Sequence, residues 1–444
     1  MSKKVFLKGT LILACTGLVS RIAGFFYRIF LSYAIGAEGL GLYQLILPLQ
    51  GLMAALSYTG IQSALSRLIA SRLALQEKKE AYFSLVTGIF AAVFFSAVTG
   101  FLLFRHADFF ASTILKAPGT SDLLRLTAAS IPLCAIHSCI DSYYYARKKA
   151  SVPAAVQLSE QAVRIGATYI LYLIFLSEGR PVTAMIAAGG SLAGEAAASL
   201  ISLLMVSFHF GNHPVKEKTS VKIFPLIKDL FTLSFPISLN RILLTLLGSI
   251  EAVLIPQMLI RCGMTSSEAL KIYGIFTGMA LPLLLFPSTL TTSAAVMLMP
   301  SVARMDALGD QKQIRHVTDQ TFFLCMFLGF LCGSGFFLFG PFLGTLLFHS
   351  KTAGTYIRYL SFICPFLYTN TMLTSILQGL GRPGRCLIHS AAGILIRIFS
   401  VVFMIPAIGI RGYFYGIFLG ELLLSLLHVK ALKFPYRQAG DNRL

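Results

Sequence analysis

The sequence predicts an all-α polytopic membrane protein of about twelve transmembrane helices in two six-helix lobes. Three observations carry that prediction. Apolar residues make up 56% of the 444-residue chain, charged residues only 12%, and mean hydropathy is +0.76, values of a chain that lives mostly in lipid. The apolar residues gather in twelve runs, each near the roughly 20 residues that cross a hydrocarbon core. The 37 Lys and Arg concentrate in alternate connectors between those runs, the mark of a protein oriented by its cytoplasmic cations.

The first run, 11–34, follows Lys3, Lys4 and Lys8 as a secretory signal would. It contains Arg21 and Arg28, exceeds a signal's apolar core and lacks a small-x-small cleavage site, so it reads as a retained span. Runs 42–68 and 81–104 flank the basic connector with Arg72, Lys78 and Lys79. Run 122–145 stops at Arg147-Lys148-Lys149, run 154–176 starts just past Pro153, and run 183–208 closes the first half. The Lys-rich stretch 210–230, with Pro214 and Pro225, reads as a cytoplasmic linker between an N-terminal lobe, 1–209, and a C-terminal lobe, 231–444. Runs 231–260, 271–300, 318–339, 355–379, 386–408 and 412–431 make up the second lobe, ahead of a short basic tail.

With the N-terminus inside, 23 Lys and Arg fall in cytoplasmic segments and 7 in outer loops. That bias places both termini in the cytoplasm of a multi-pass plasma-membrane protein. The formal charge of +19 does not indicate nucleic acid, because the cations are spread through connectors rather than gathered in one patch. The eight cysteines sit mostly in apolar runs without a CxxC pair, and the eight histidines are scattered. Neither a disulfide framework nor a zinc site is indicated.

The two halves echo one another. Arg125, Pro132 and Arg164 recur as Arg358, Pro365 and Arg397, all at an offset of 233. Gly190-x3-Gly194-Glu195-x3-Ser199 recurs at 226 as Gly416-x3-Gly420-Glu421-x3-Ser425, and Tyr43 and Ser63 match Tyr273 and Ser293 more weakly at 230. An even number of spans per half gives both the same topology, hence a pseudo-twofold axis along the membrane normal and a binding site near the midplane.

Five arginines, Arg21, Arg28, Arg164, Arg241 and Arg397, lie inside apolar runs. A charge there costs at least about 2.5–3.5 kcal/mol on insertion scales and as a rule faces a polar cavity or a charged partner. Together they are the candidate substrate-binding residues of a central cavity whose cargo is anionic. Gly17, Arg21, Gly24 and Arg28 share one stripe of the first helix, which places the two cations about 10 Å apart along it. The alternative is that these arginines pair with acids and fix packing. Glu160 precedes Arg164 by four residues, the favourable order for an intrahelical pair, whereas Gly393 precedes Arg397. Glu195 and Glu421 follow GxxxG motifs of close helix packing and are expected to answer an arginine across the contact. Glu251 is a candidate for coupling-ion binding, and Asp141, near the inner end of its helix, reads as interfacial. No cofactor is indicated beyond a coupling ion, Na+ or H+.

The residues also resemble a known family. Ser20-Arg21-Ile22-Ala23-Gly24-Phe25-Phe26-Tyr27-Arg28 is similar to the first-helix signature of the stage V sporulation protein B and lipid II flippase family, as is Ile35 to Gln44 just after it. Thr59-Gly60-Ile61, Ser66 to Ala70, Val152 to Arg164 and Leu377-Gln378-Gly379-Leu380-Gly381-Arg382-Pro383 extend the likeness over essentially the whole chain. The resemblance implies the fold of the multidrug/oligosaccharidyl-lipid/polysaccharide exporter superfamily, with a V-shaped cavity lined by Arg21 and Arg28. It further implies outward flipping of undecaprenyl-pyrophosphate-linked sugars. The chain departs from that pattern in three places. Lipid II flippases commonly carry two further C-terminal helices, for which this chain ends too soon. Ile29 stands where some carry an acid, and the second helix lacks an early arginine.

The expected function is therefore a flippase for a lipid-linked, anionic glycan precursor of the spore cortex or cell wall. Its partners are that glycan, membrane lipids and peptidoglycan synthesis proteins, and not nucleic acid. A cation-coupled multidrug exporter of the same superfamily is the alternative, although it calls for a net acidic cavity. A membrane glycan polymerase or ligase needs an acid-bearing outer loop that is missing here, and no GxxxxGK[ST], HExxH or GxSxG signature appears.

Overall fold

A backbone surrounded by hydrocarbon must satisfy its own hydrogen bonds, which leaves helix as the outcome for long apolar runs. The computed structural model describes residues 3–212 and 223–433, and within them every run of the sequence is helical. In chain order the helices are α1 (Lys3–Ala34), α2 (Gly36–Ser57), α3 (Thr59–Ala74), α4 (Lys78–Arg105), α5 (Ala107–Phe109) and α6 (Ser121–Ala146). Next come α7 (Ser151–Ser177), α8 (Met185–Asn212), α9 (Ile223–Arg261), α10 (Ser266–Gly274), α11 (Leu281–Leu285) and α12 (Ser288–Ala307). The last are α13 (Gln311–Phe348), α14 (Lys351–Leu360), α15 (Cys364–Gly379), α16 (Pro383–Ile408) and α17 (Ile410–Lys433). Of the predicted linker, 210–230, residues 213–222 lie outside the described residues, while 210–212 end α8 and 223–230 open α9; the tail beyond Lys433 also lies outside them.

Among the described residues ten segments are long and apolar enough to cross a membrane. The remaining two of the twelve predicted spans lie on α1 and α7, which carry Arg21, Arg28, Glu160 and Arg164. Three spans are interrupted, the tenth by a 3-10 turn at Ser361–Ile363 between α14 and α15. The second breaks at Tyr58 between α2 and α3, and the eighth runs through α10, a π-turn at Ile275–Ala280 and α11 before Pro287 starts α12. Several helices overrun the predicted limits. At 38 residues, α13 is about 57 Å long, well beyond a hydrocarbon core of about 30 Å.

The residues gather into two compact units, Met1–Pro282 and Leu283–Leu444. In the first, Leu65, Leu85, Cys139, Tyr143 and Leu230 form a core on which α3, α4, α6 and α9 meet. In the second, Val302, Leu373 and Ile376 join α12 to α15. Each unit builds the same local packing at an offset of 233. A Cβ on Gly100 would lie 2.8 Å from the Ala128 carbonyl oxygen, and one on Gly333 would lie 2.8 Å from that of Ser361. Phe90 and Phe94 stand exposed on α4, as Phe323 and Phe327 do on α13, the posture of side chains that face lipid.

Within the first unit α2 and α10 also meet, and they do so reciprocally. A Cβ on Gly41 would sit 2.1 Å from the Leu270 carbonyl oxygen, and one on Gly274 would sit 2.1 Å from that of Ala37. Ala37 and Leu270 differ by 233 in sequence, as do Gly41 and Gly274. The contact is therefore isologous, residue for residue, as a twofold axis requires. Glu38 fastens the same region by accepting a hydrogen bond of 2.6 Å from Ser267.

Candidate functional site

A network of buried and partly buried polar residues crosses α1, α2, α6, α7 and α8 in the first unit. Its foundation is the glycine pair of α8. Cβ atoms on Gly190 and Gly194 would lie 2.8 Å from the Arg164 carbonyl oxygen and 3.0 Å from that of Glu160, respectively. Absence of those side chains lets α8 approach α7 closely, which brings Glu195 opposite Arg164. The Arg164 guanidinium bonds Glu160 on its own helix and reaches Glu195 Oε1 at 3.4 Å. The other oxygen of Glu195 is 2.9 Å from His137 Nε2 on α6. His137 Nδ1 in turn faces Asp141 at 3.8 Å. Asp141 thus belongs to this partly buried cluster.

The second unit builds the same frame with different residues. Gly416 and Gly420 bring α17 against α16 at Arg397, and Arg397 Nη1 is 3.4 Å from Glu421 Oε1. Asn370 donates to Glu421 Oε2 at 2.8 Å and accepts from Ser425 at 2.6 Å. At the 233 offset, Asn370 stands for His137, Thr374 for Asp141 and Gly393 for Glu160. Each half therefore holds an Arg–Glu pair beside a GxxxG contact, with His137 and Asp141 added in the first half and, in the second, His428 3.0 Å from His389 and 2.9 Å from Thr374.

On α1, Arg21 is exposed and Arg28 is half-buried. A side chain on Gly17 would meet nothing within 4 Å, and one on Gly24 would find the Gln161 amide at 3.7 Å. The neighbouring Tyr27 anchors the helix, its hydroxyl 3.0 Å from that of Thr168 on α7. Arg28 lies within electrostatic reach of the Tyr43 phenol, and among the described residues no carboxylate comes within ion-pair distance of it. Arg241 is exposed on α9. Glu251, on the same helix, is buried within electrostatic reach of Tyr273. The five arginines thus differ: Arg164 and Arg397 are held by carboxylates, while Arg28 has a phenol beside it.

Sequence reasoning overlooked His137. The histidines have no ligand spacing along the chain, and the partner of His137 lies 58 residues away. The repeat held the signal, since the offset that pairs the arginines also sets His137 against Asn370.

Comparison with known proteins agrees with this geometry. The family model described as "Polysaccharide biosynthesis protein" matches residues 6–306. The chain belongs to that polysaccharide biosynthesis family. Stage V sporulation protein B of Bacillus subtilis is 30% identical over 440 residues, covering 96% of this chain and 83% of the relative. Lipid II flippase MurJ of the same organism is 22% identical, covering 96% and 82%. An inward-facing multidrug resistance MATE transporter of the MOP superfamily superposes with a TM-score of 0.68 at 16% identity, over 95% of this chain and 99% of that one. A MOP superfamily transporter from Pyrococcus furiosus, described as having a binding pocket of reverse polarity, gives 0.67 at 16% identity, over 98% and 100%. This member of the polysaccharide biosynthesis family is thus a multi-pass membrane protein with the two-lobed twelve-helix fold of those transporters.

Proposed function

We propose that the protein flips an undecaprenyl-pyrophosphate-linked glycan precursor, of the lipid II type, outward across the plasma membrane by alternating access. It acts as a transporter and not as an enzyme, with both termini in the cytoplasm and the lobes divided near 210–230. The observation that carries the proposal is Arg28, a half-buried cation inside a span with no carboxylate at ion-pair distance among the described residues. Such a charge suits a pyrophosphate, which guanidinium grips through paired, charge-assisted hydrogen bonds. Arg21, seven residues earlier on the same stripe, is the second phosphate contact, and Arg241 a third. Arg164 and Arg397, held by Glu160, Glu195 and Glu421, shape the site more than they bind cargo. Relatedness to stage V sporulation protein B and to lipid II flippase MurJ supports a peptidoglycan precursor as cargo, with spore-cortex or cell-wall synthesis proteins as its partners. Coupling to Na+ or H+ would draw on Glu251 or on the acids around Arg164.

Transport of a lipid-linked pyrophosphate sugar into proteoliposomes tests the reading. Arg28→Ala is expected to abolish flipping while the purified variant elutes and melts like the parent, and Arg28→Lys to restore part of it. A well-folded Arg28→Ala, Arg21→Ala double variant that flips at the parental rate would refute the assignment.

A further inference from the structure

On α6, Cys134, His137 and Asp141 follow one another at spacings of three and four, so all share one helical face. Cys134 Sγ, a His137 ring nitrogen and a Glu195 carboxylate oxygen lie within 4.8 Å of one another. The side chains of His137 and Glu195 are only 14% and 10% exposed, and Cys134 is buried. We propose that Cys134, His137 and Glu195 bind one divalent transition-metal ion of the zinc class, with Asp141 behind His137, and that the ion fastens α6 to α8. The proposal is independent of what the transporter carries.

The donor set selects the ion. Thiolate, imidazole and carboxylate together are the ligands of zinc-class centres, whereas Mg2+ and Ca2+ call for oxygen alone. Tetrahedral bonds of zinc length set donors about 3.3–3.6 Å apart. The present contacts, from 2.9 Å up to the 4.8 Å limit, reach that range by shifts of about 1 Å.

The second observation lies behind the ring. A metal-bound histidine usually turns its other nitrogen to a carboxylate, which fixes the tautomer. Here Asp141 waits 3.8 Å from His137 Nδ1, and both His137 Nδ1 and Asp141 Oδ1 are buried without a hydrogen-bond partner. An ion on Nε2 leaves the proton on Nδ1 and aims it at Asp141.

Binding releases the Cys134 thiol proton to water, so that the thiolate meets the ion. The second half offers no such centre at the matching positions, where Leu367, Asn370 and Thr374 stand for Cys134, His137 and Asp141.

Cobalt(II) titration of the purified, full-length protein tests the proposal, because a cobalt–thiolate bond gives a near-ultraviolet charge-transfer band. One equivalent is expected to bind with that band in the parent, and in a variant that keeps Cys134 as its only cysteine. Cys134→Ser is expected to lose the band, and Asp141→Asn to bind about 10–100-fold more weakly, the usual effect of removing such a carboxylate. Either an absence of cobalt binding or a band that survives in Cys134→Ser overturns the proposal. In that case His137 and Glu195 form a plain ion pair.

Discussion

Replacement of Gly190 by alanine is the sharpest test of how the polar network is held. A methyl group there would lie 1.9 Å from Thr168 Oγ1 and 2.8 Å from the Arg164 carbonyl oxygen. Thr168 cannot simply turn aside, because its hydroxyl bonds that same carbonyl at 2.8 Å and the Tyr27 hydroxyl at 3.0 Å. The carbonyl is backbone and cannot turn at all. Relief therefore requires α7 and α8 to part by about 1 Å, toward ordinary van der Waals separation. Overpacking of this kind costs about 1–3 kcal/mol, partly offset by the roughly 0.5–1 kcal/mol by which alanine favours a helix over glycine. The net expectation is a loss of up to about 2.5 kcal/mol, centred near 1 kcal/mol, a melting point lower by a few degrees, and a longer Arg164–Glu195 contact. The control is Gly17→Ala, where nothing lies within 4 Å, and which should be neutral or stabilising. Thermal unfolding of the detergent-purified variants reads both. An unchanged midpoint for Gly190→Ala, or an equal fall for Gly17→Ala, would refute the close-approach argument.

Two further outcomes are expected. In the second unit, Glu421→Gln should destabilise more than Arg397→Met with Glu421→Gln together, since removing one partner of a buried ion pair costs up to about 3–5 kcal/mol; a double variant as unstable as the sum of its singles would contradict this. For orientation, cysteines at Ser112 and Thr352 should react with an impermeant maleimide in intact cells, while one at Gln311 should react only after permeabilisation. Labelling of the Gln311 position in intact cells would reverse the topology.

The number and order of the spans were legible because each run has the length a bilayer requires, and run length is a local property. The interruption at Tyr58 was not. No proline accompanies Ser57-Tyr58-Thr59, and the break shows only in the backbone, where φ at Tyr58 is −127°. In the candidate site, the Glu160–Arg164 pair could be read from a spacing of four, and Glu195 and Glu421 from their place after GxxxG. His137 escaped notice, and Asp141 read as interfacial, because their meaning depends on α8, whose position no pattern within α6 encodes. What packing adds is which arginine each carboxylate meets, Arg164 for Glu195 and Arg397 for Glu421, while Arg28 faces Tyr43.

The reciprocal meeting of Gly41 and Gly274 sets a limit on how the two halves of this chain can drift apart. Where a half packs only against itself it can be rewritten alone, as the exchange of histidine for asparagine at positions 137 and 370 illustrates. At the α2–α10 seam one copy is the other's surroundings. Each glycine makes room for a carbonyl that its counterpart's helix supplies, so a side chain gained on either strikes backbone, which cannot be trimmed in response. A duplicated chain is thereby tied to its own ancestry at that point, and the two positions must be inherited as one.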